Sequence, residues 1–228
     1  MNSTAFTPLE DRIAYHFRDK TLLEMAMTHS SMETHHSYER LEFLGDRVVG
    51  LAIADLLYKT FPDEVEGNLA KRHAALVQGH TLADIAIEIG LGKYILFSDA
   101  ERAAGGHHNK KILADCVESL IGAAYLDGGY DACYRIIPAI WGQRINHMDK
   151  APREPKTALQ EWAQSRALPL PSYEIISTEG PDHAPIFEIR VTIEGLEPVT
   201  AKDHSRRGAE KKAAALLLDI IEKEKHDR

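Results

Sequence analysis

Three acidic residues stand close together in one short segment, Glu39-Arg40-Leu41-Glu42-Phe43-Leu44-Gly45-Asp46-Arg47. Glu39, Glu42 and Asp46 are spaced i, i+3 and i+7, which puts them on one face of a helix. Leu41, Leu44 and Val48 occupy a different face. Like charges stacked in this way repel by about 0.2–0.5 kcal/mol per pair, so something positive is expected against them. A second pair, Asp115 and Glu118, sits at i and i+3 among Ile112, Leu113, Ala114, Val117, Leu120 and Ile121. Acids in so apolar a helix are costly unless compensated. If the two helices pack together, four carboxylates converge: Glu42, Asp46, Asp115 and Glu118. An all-oxygen site suits Mg²⁺ or Mn²⁺ rather than zinc. Two such ions about 4 Å apart can activate water and stabilise the leaving oxygen in phosphodiester hydrolysis. The bland alternative is a solvated surface, which is what an acidic i, i+3 pair on a helix usually is. Spacing alone does not show that the helices meet.

The elements that would position these acids read as helices through residues 1–149. Leu41, Leu44, Val48, Leu51 and Ala52 recur at helical spacing, with no proline before Pro62. Residues 69–79 and 81–89 are two more helical stretches, the second ended by Gly90 and Gly92. Residues 111–126 continue the pattern, and Asp127-Gly128-Gly129 is expected to stop it. A further helix is expected over 130–146, where Pro138 would kink or divide it. No strand is expected in this half. Residues 149–155 carry Pro152 and Pro155 among charges, as an exposed linker does. After it the period changes. A helix is predicted over 157–166 and strands over 173–177, 186–193 and 199–203. Gly180-Pro181-Asp182 and Glu194-Gly195-Leu196 sit where turns would join the strands. Ser205 is expected to cap a last helix running to about residue 223. The order α-β-β-β-α makes a two-layer unit. The fold class is therefore multidomain: an all-α domain at 1–149, a linker at 150–154 and an α-β-β-β-α domain at 155–226.

The chain has 228 residues and a formal net charge of −8, which is unusual for a protein that binds nucleic acid broadly. Residues 1–150 carry 15 Lys and Arg against 21 Asp and Glu; residues 151–228 carry 12 against 14. The balance argues against a non-specific polyanion binder, but not against one that reads shape. No apolar run approaches the ~20 residues of a membrane helix. The first ten residues lack the basic start and apolar stretch of a secretion signal. Cys116 and Cys133 form no CxxC pair and suggest no disulfide framework. These features favour the cytoplasm and give no sign of a small-molecule cofactor.

The segment ERLEFLGD, Glu39 to Asp46, resembles the signature of the ribonuclease III family. Thr28-His29-Ser30 resembles that family's THxS element, and ILADCVESLIGAAYLDGG, 112–129, its second acidic helix. PKTALQEWAQ, 155–164, and SRRGAEKKAAALLL, 205–218, resemble the two helices of a double-stranded-RNA-binding domain. The match covers nearly the whole chain in the family's order. It implies a homodimeric, Mg²⁺-dependent endoribonuclease that cuts both strands of an RNA duplex, with Mn²⁺ able to substitute. Products would carry 5′-phosphate and 3′-hydroxyl ends with short 3′ overhangs. Tasks would be ribosomal-RNA precursor processing and messenger-RNA turnover. By motif position Glu42, Asp46, Asp115 and Glu118 would be metal ligands, with Asp46 and Glu118 tied most closely to chemistry. Glu39 and Glu66 match acidic positions that help hold RNA or order the site. Two residues depart from the pattern: Arg47 stands where a small residue, often Ser, follows the last signature acid, and Lys111 stands where Ser usually precedes ILAD. Either could contact RNA phosphate, or pair with an acid and weaken metal binding.

The same resemblance assigns the RNA clamp. Such modules span two minor grooves of A-form RNA and the phosphates between them. Gln160 and Glu161 would meet the first minor groove and His183 the next. Arg206, Arg207 and Lys211 would meet phosphate at the start of the last helix. Trp162 and Phe187 are read as core rather than stacking platforms. The adjacent pairs His35-His36 and His107-His108 lack zinc-site spacing. Cys116 is read as a buried inert thiol, and Gly105-Gly106 as a turn, since no GK[ST] follows. Two other functions remain to be weighed, a non-catalytic duplex-RNA binder and a DNA nuclease.

Overall fold

A computed structural model describes residues 6–32, 37–146, 154–181 and 184–226. The chain divides into two compact units, Met1–Pro152 and Arg153–Arg228. Among the described residues the first unit is helical: α1 (Thr7–Arg12), α2 (Lys20–Ala26), α3 (Glu39–Thr60), α4 (Glu66–Val77), α5 (Gly79–Glu88), α6 (Asp99–Ala103) and α7 (Lys110–Trp141). A single bridge, Thr28 to Leu96, is the extent of its β pairing among these residues.

Helix α7 is the axis of this unit. Its residues from Ile112 to Ala124 are buried almost without a break, as expected of a helix apolar on all sides. α3 and α5 both pack against it. The helix is interrupted where Asp127-Gly128-Gly129 is expected to stop it, and two helical segments meet there across a kink. The helix changes direction at Gly129 alone (φ 69°, ψ −165°), a conformation open to glycine, and then resumes. Asp127 is also a docking point: its carboxylate accepts from the Tyr15 hydroxyl (2.6 Å) and from the backbone N–H groups of Arg18 (2.9 Å) and Asp19 (2.8 Å). Pro138 does not divide the second half, which stays helical around it.

Helix α3 buries Leu41, Gly45, Val48, Val49, Ala52, Ile53 and Leu57. Leu51, expected on that face, is 62% exposed. At about 100° per residue it falls with Phe43, Ala54 and Tyr58 on the side away from the core. The single extended residue Gln78 (φ −70°, ψ 147°) separates α4 from α5.

The second unit contains α8 (Pro155–Gln164), β1 (Ser172–Glu179), β2 (Ile186–Thr192), β3 (Val199–Asp203) and α9 (Arg206–His226). Its sheet is antiparallel in the order β1-β2-β3, with Ile175 opposite Ile189 and Ile189 opposite Ala201. A bulge between Ile175 and Ser177 lets β1 run to Glu179, beyond the expected five residues. Leu159 and Ala163 of α8, Val191 of β2, and Ala213, Ala214, Leu217 and Ile221 of α9 form the core. Ser205 caps α9, accepting from the Gly208 N–H at 3.0 Å.

Candidate metal centre

The start of α3 is fixed by the segment before it. The Tyr38 N–H donates to the Thr28 carbonyl (2.9 Å), and the Glu42 N–H donates to the Tyr38 carbonyl (2.8 Å). The His29 ring stacks on Tyr38 with centroids 5.5 Å apart, and its Nδ1 accepts from the Ser31 N–H (3.1 Å). The Thr28-His29 step thus sets where the first turn of α3 begins, and with it Glu39 and Glu42.

The approach of α3 to α7 is set by two glycines. A Cβ on Gly45 would lie 1.8 Å from the Glu118 carbonyl oxygen, and one on Gly122 would lie 2.2 Å from the Leu41 carbonyl oxygen. Neither distance is physically possible, so only glycine at both positions lets the two backbones touch. Glycines inside helices otherwise cost about 1 kcal/mol each relative to Ala. That cost, at Gly45 in ERLEFLGD and Gly122 in ESLIG, is the signal of a close contact that the residues carry and that acid spacing does not. Alongside this contact the helices run parallel, and Lys59 of α3 reaches the Tyr134 hydroxyl of α7 at 3.4 Å.

The contact brings three of the four predicted carboxylates together. Glu42, Asp115 and Glu118 each offer an oxygen within 4.8 Å of the others, and Asp115 is buried. Asp46, one turn beyond Glu42, is not in this group. Its Oδ2 accepts instead from Arg47 Nη1 at 2.5 Å. Its charge still reaches the cluster. The Glu118 carboxyl is pushed up to about 7, first by burial and then by the charges of Asp46, Glu42 and Asp115. Burial, followed by Asp115, also raises Glu42. A buried cluster of like charges that resists ionisation is what a hard divalent cation relieves. The donor set is oxygen only, and it suits Mg²⁺ or Mn²⁺.

Lys111 answers part of this charge: its Nζ donates to Asp115 Oδ2 at 2.6 Å. Of the two residues that depart from the family pattern, Lys111 therefore pairs with an acid of the cluster and Arg47 with Asp46 beside it. Of the second-tier acids, Glu39 is exposed and accepts from the Ser37 hydroxyl (3.0 Å). Glu66 is exposed in the first turn of α4, outside the three-carboxylate group. Cys116, between the α7 acids, is a buried free thiol held well above its ordinary pKa by burial.

In the second unit Gln160 and Glu161 are exposed on α8. His183 lies outside the described residues, as do His35 and His36. Arg206 pairs with Glu210 (3.0 Å) and Lys211 with Glu154 (3.1 Å). Arg207 is exposed and makes no ion pair among the described residues. Lys212 pairs with Asp203 (2.7 Å) and Lys156 with Glu210 (2.6 Å). Trp162 packs against the core, while Arg166 covers its ring at 4.3 Å. Phe187 is half-buried near the start of β2, outside that core cluster. No helix among the described residues is long and apolar enough to cross a membrane.

Residues 19–142 match the family described as Ribonuclease-III-like, and residues 155–221 match the double-stranded RNA binding motif. The chain is 47% identical over 213 residues to Ribonuclease 3 of Ehrlichia ruminantium strain Welgevonden, covering 92% of this chain and 94% of that one. It is 42% identical over 229 residues to Ribonuclease 3 of Wolbachia sp. subsp. Brugia malayi strain TRS, covering 96% of this chain and 94% of that one. The crystal structure of the nuclease domain of ribonuclease III from Campylobacter jejuni superposes with a TM-score of 0.61 at 38% identity, covering 65% of this chain and all of that one. A second structure of that domain (TM-score 0.59, 39% identity, 61% of this chain and 97% of that one) is described as flexible in a region involved in dimer formation. A helical nuclease domain followed by a double-stranded-RNA-binding motif, with this identity over most of its length, places the chain in the ribonuclease III family of endoribonucleases.

Proposed function

We propose that this protein hydrolyses phosphodiester bonds of double-stranded RNA as a metal-dependent, homodimeric endonuclease. The observation that carries the reading is the meeting of Glu42, Asp115 and Glu118 at the Gly45–Gly122 contact, with Asp46 one turn away. In this reading the nuclease domain spans residues 1–149, the linker 150–154 and the clamp 155–226. Glu42, Asp46, Asp115 and Glu118 hold Mg²⁺, for which Mn²⁺ substitutes. The ions supply activation of the attacking water and stabilisation of the leaving 3′ oxygen, in the manner of a two-metal site. The residues do the rest. Glu118 must give up its proton before its oxygens can serve as ligands, and Asp46 must turn from Arg47 to join it. Glu39 and Glu66 help hold RNA or order the site. Gln160, Glu161 and His183 read the minor grooves, and Arg206, Arg207 and Lys211 hold phosphate. Ends are 5′-phosphate and 3′-hydroxyl with two-nucleotide 3′ overhangs. Precursors of ribosomal and transfer RNA and some messenger RNAs are the expected substrates, in the cytoplasm. The dimer is supported by the large apolar side chains of Phe43, Leu51 and Tyr58 exposed along one side of α3.

The test is cleavage of an end-labelled RNA hairpin with Mg²⁺, beside EDTA and a DNA hairpin of equal sequence, on a sample whose mass is read by light scattering. Metal-dependent cutting of RNA alone, by a dimer, with two-nucleotide overhangs, is expected. Binding without cutting would point to a non-catalytic RNA binder, equal cutting of DNA to a general nuclease, and a monomer would remove the dimer.

A further inference from the structure

The two positively charged side chains at the cluster have no counterpart in the chemistry described above. Lys111 sits one turn before Asp115 on α7. Its side chain is 78% exposed, while that of Asp115 is 12% exposed. The ammonium is thus a solvated group leaning onto a fixed carboxylate. Arg47 is held differently. Its Nη1 donates to Asp46 Oδ2 at 2.5 Å and to the Phe43 carbonyl at 3.3 Å, and the guanidinium lies 4.3 Å from the Phe43 ring centroid. It holds the Asp46 side chain outside the group formed by Glu42, Asp115 and Glu118. Together the two cations offset half of the formal charge of the four acids. A chain that gathers three carboxylates, Asp115 among them buried, with a fourth one turn away, gains from such partners whenever no metal is bound.

We propose that Lys111 and Arg47 are resident counter-cations of the carboxylate cluster, which a divalent ion must displace from Asp115 and Asp46 in order to bind. The proposal rests on the reading of the cluster as the metal site. Two of the carboxylates that would hold Mg²⁺ each already accept a strong charge-assisted hydrogen bond. The two cations are therefore competitive with the metal, and they set how much metal the protein requires. They also differ in kind. The Lys111 ammonium swings on a flexible stem and yields readily, whereas the planar Arg47 guanidinium is pinned by three contacts and yields less. Release of Lys111 leaves a free ammonium beside Asp115; release of Arg47 requires Asp46 to change rotamer.

The experiment is titration of the full-length protein with Mn²⁺, following the free-ion signal by electron paramagnetic resonance at fixed ionic strength. Wild type is compared with Lys111→Ser, Arg47→Ser and Lys110→Ser. Lys110 carries the same charge one residue away, with its Nζ 3.9 Å from Asp84 rather than on the cluster. Lys111→Ser and Arg47→Ser are each expected to tighten Mn²⁺ binding about three- to ten-fold, and Lys110→Ser to change it less than about two-fold. Without metal, Lys111→Ser and Arg47→Ser are expected to melt below wild type, and the deficit to close as Mn²⁺ is added. Equal tightening in Lys110→Ser and Lys111→Ser would overturn the proposal, since bulk charge alone would account for it. Unchanged affinity in both Lys111→Ser and Arg47→Ser would overturn it while leaving the metal site intact. Mn²⁺ binding that survives Glu118→Ala unchanged would remove the metal site itself, and the proposal with it.

Discussion

The two units of this chain use the same charged residue types in opposite ways. At the contact of α3 and α7 the acids are gathered and partly buried, and Glu42 and Glu118 resist ionisation. In the second unit the acids are spread among cations. Glu210 accepts from both Lys156 and Arg206, Asp203 accepts from Lys212, and both carboxyls are held below their ordinary range by those partners. The first arrangement, only partly offset by Lys111 and Arg47, stores the rest of its electrostatic cost until a further cation arrives. The second has already neutralised itself. A unit with 12 cationic and 14 acidic residues can therefore present a small phosphate-binding face without being basic overall. The difference is between a site that waits for charge and a surface that must exchange partners to bind it.

The sharpest way to break this contrast is to remove the most strained acid. Glu118→Ala is expected to lower hairpin cleavage on the order of 10³-fold. Hairpin binding in Ca²⁺ should stay within about two-fold, because the clamp is untouched. Substantial cleavage by this variant would show that the gathered acids are not the working site. Next in size is the contact that gathers them. Gly122→Ala drives a Cβ into the Leu41 carbonyl. It should destabilise the first unit by about 1–3 kcal/mol or more, lowering the melting temperature by roughly 3–10 °C, and cleavage should fall with it. A variant with native melting and activity would mean that the helices are not held backbone to backbone.

The third test uses the proton. Glu118 is raised to about 7 by burial and its acidic neighbours, so its protonated form competes with metal below that value. Metal affinity should fall as pH drops through 7, by at most about ten-fold per pH unit for one proton. Stability without metal should run the other way. The folded state holds this proton more tightly than the unfolded chain, so the cost of ionising Glu118 is absent below about pH 4.5 and is fully felt above about 7. Glu118→Gln should therefore melt higher than wild type at pH 8 by a few degrees, with the difference gone near pH 4. A melting difference independent of pH would refute this origin of the shift. The smallest effect belongs to the self-neutralised surface. Arg207, unpaired among the described residues, should contribute more to RNA binding than Arg206, which is shared with Glu210. Arg207→Ala should weaken hairpin binding about five-fold and reduce the salt slope by about one. Arg206→Ala should do less, and the reverse order in a salt titration would contradict the pairing argument.

Much of this was legible in the residues because acids at helical spacing and a change of period are properties of order along the chain. The α-β-β-β-α module emerged with β3 at its predicted bounds and β1 extended only by a bulge. What stayed hidden depends on direction in space. Spacing puts Asp46 beside Glu42, but not whether its carboxylate turns inward or toward Arg47. Leu51 fits a helical repeat, yet the packed face is decided by which neighbours arrive, and α7 covers the side carrying Ala52 and Val48. The run Asp127-Gly128-Gly129 reads as a stop and the helix does break there, at Gly129, but the direction in which the chain leaves the break is not a property of order. One residue at positive φ is enough to bend a helix, and the Tyr15–Asp19 segment holds the bend in place. The role of Gly45 and Gly122 is pairwise, and neither glycine announces the other.

Because those two glycines leave main chain against main chain, the spacing of the ligand-bearing helices is gauged by peptide atoms rather than by side chains. Peptide dimensions do not change under substitution. Core residues such as Val49, Ile53, Val117 or Leu120 can thus drift among apolar alternatives, altering how firmly the domain holds together while leaving the calibration of its carboxylates untouched. The same joint narrows the tolerated residues at its own two positions to one. A library of random substitutions across the apolar positions of α3 and α7 and this joint should therefore separate: core positions that tune thermal tolerance, and a joint at Gly45 and Gly122 that does not tolerate a side chain.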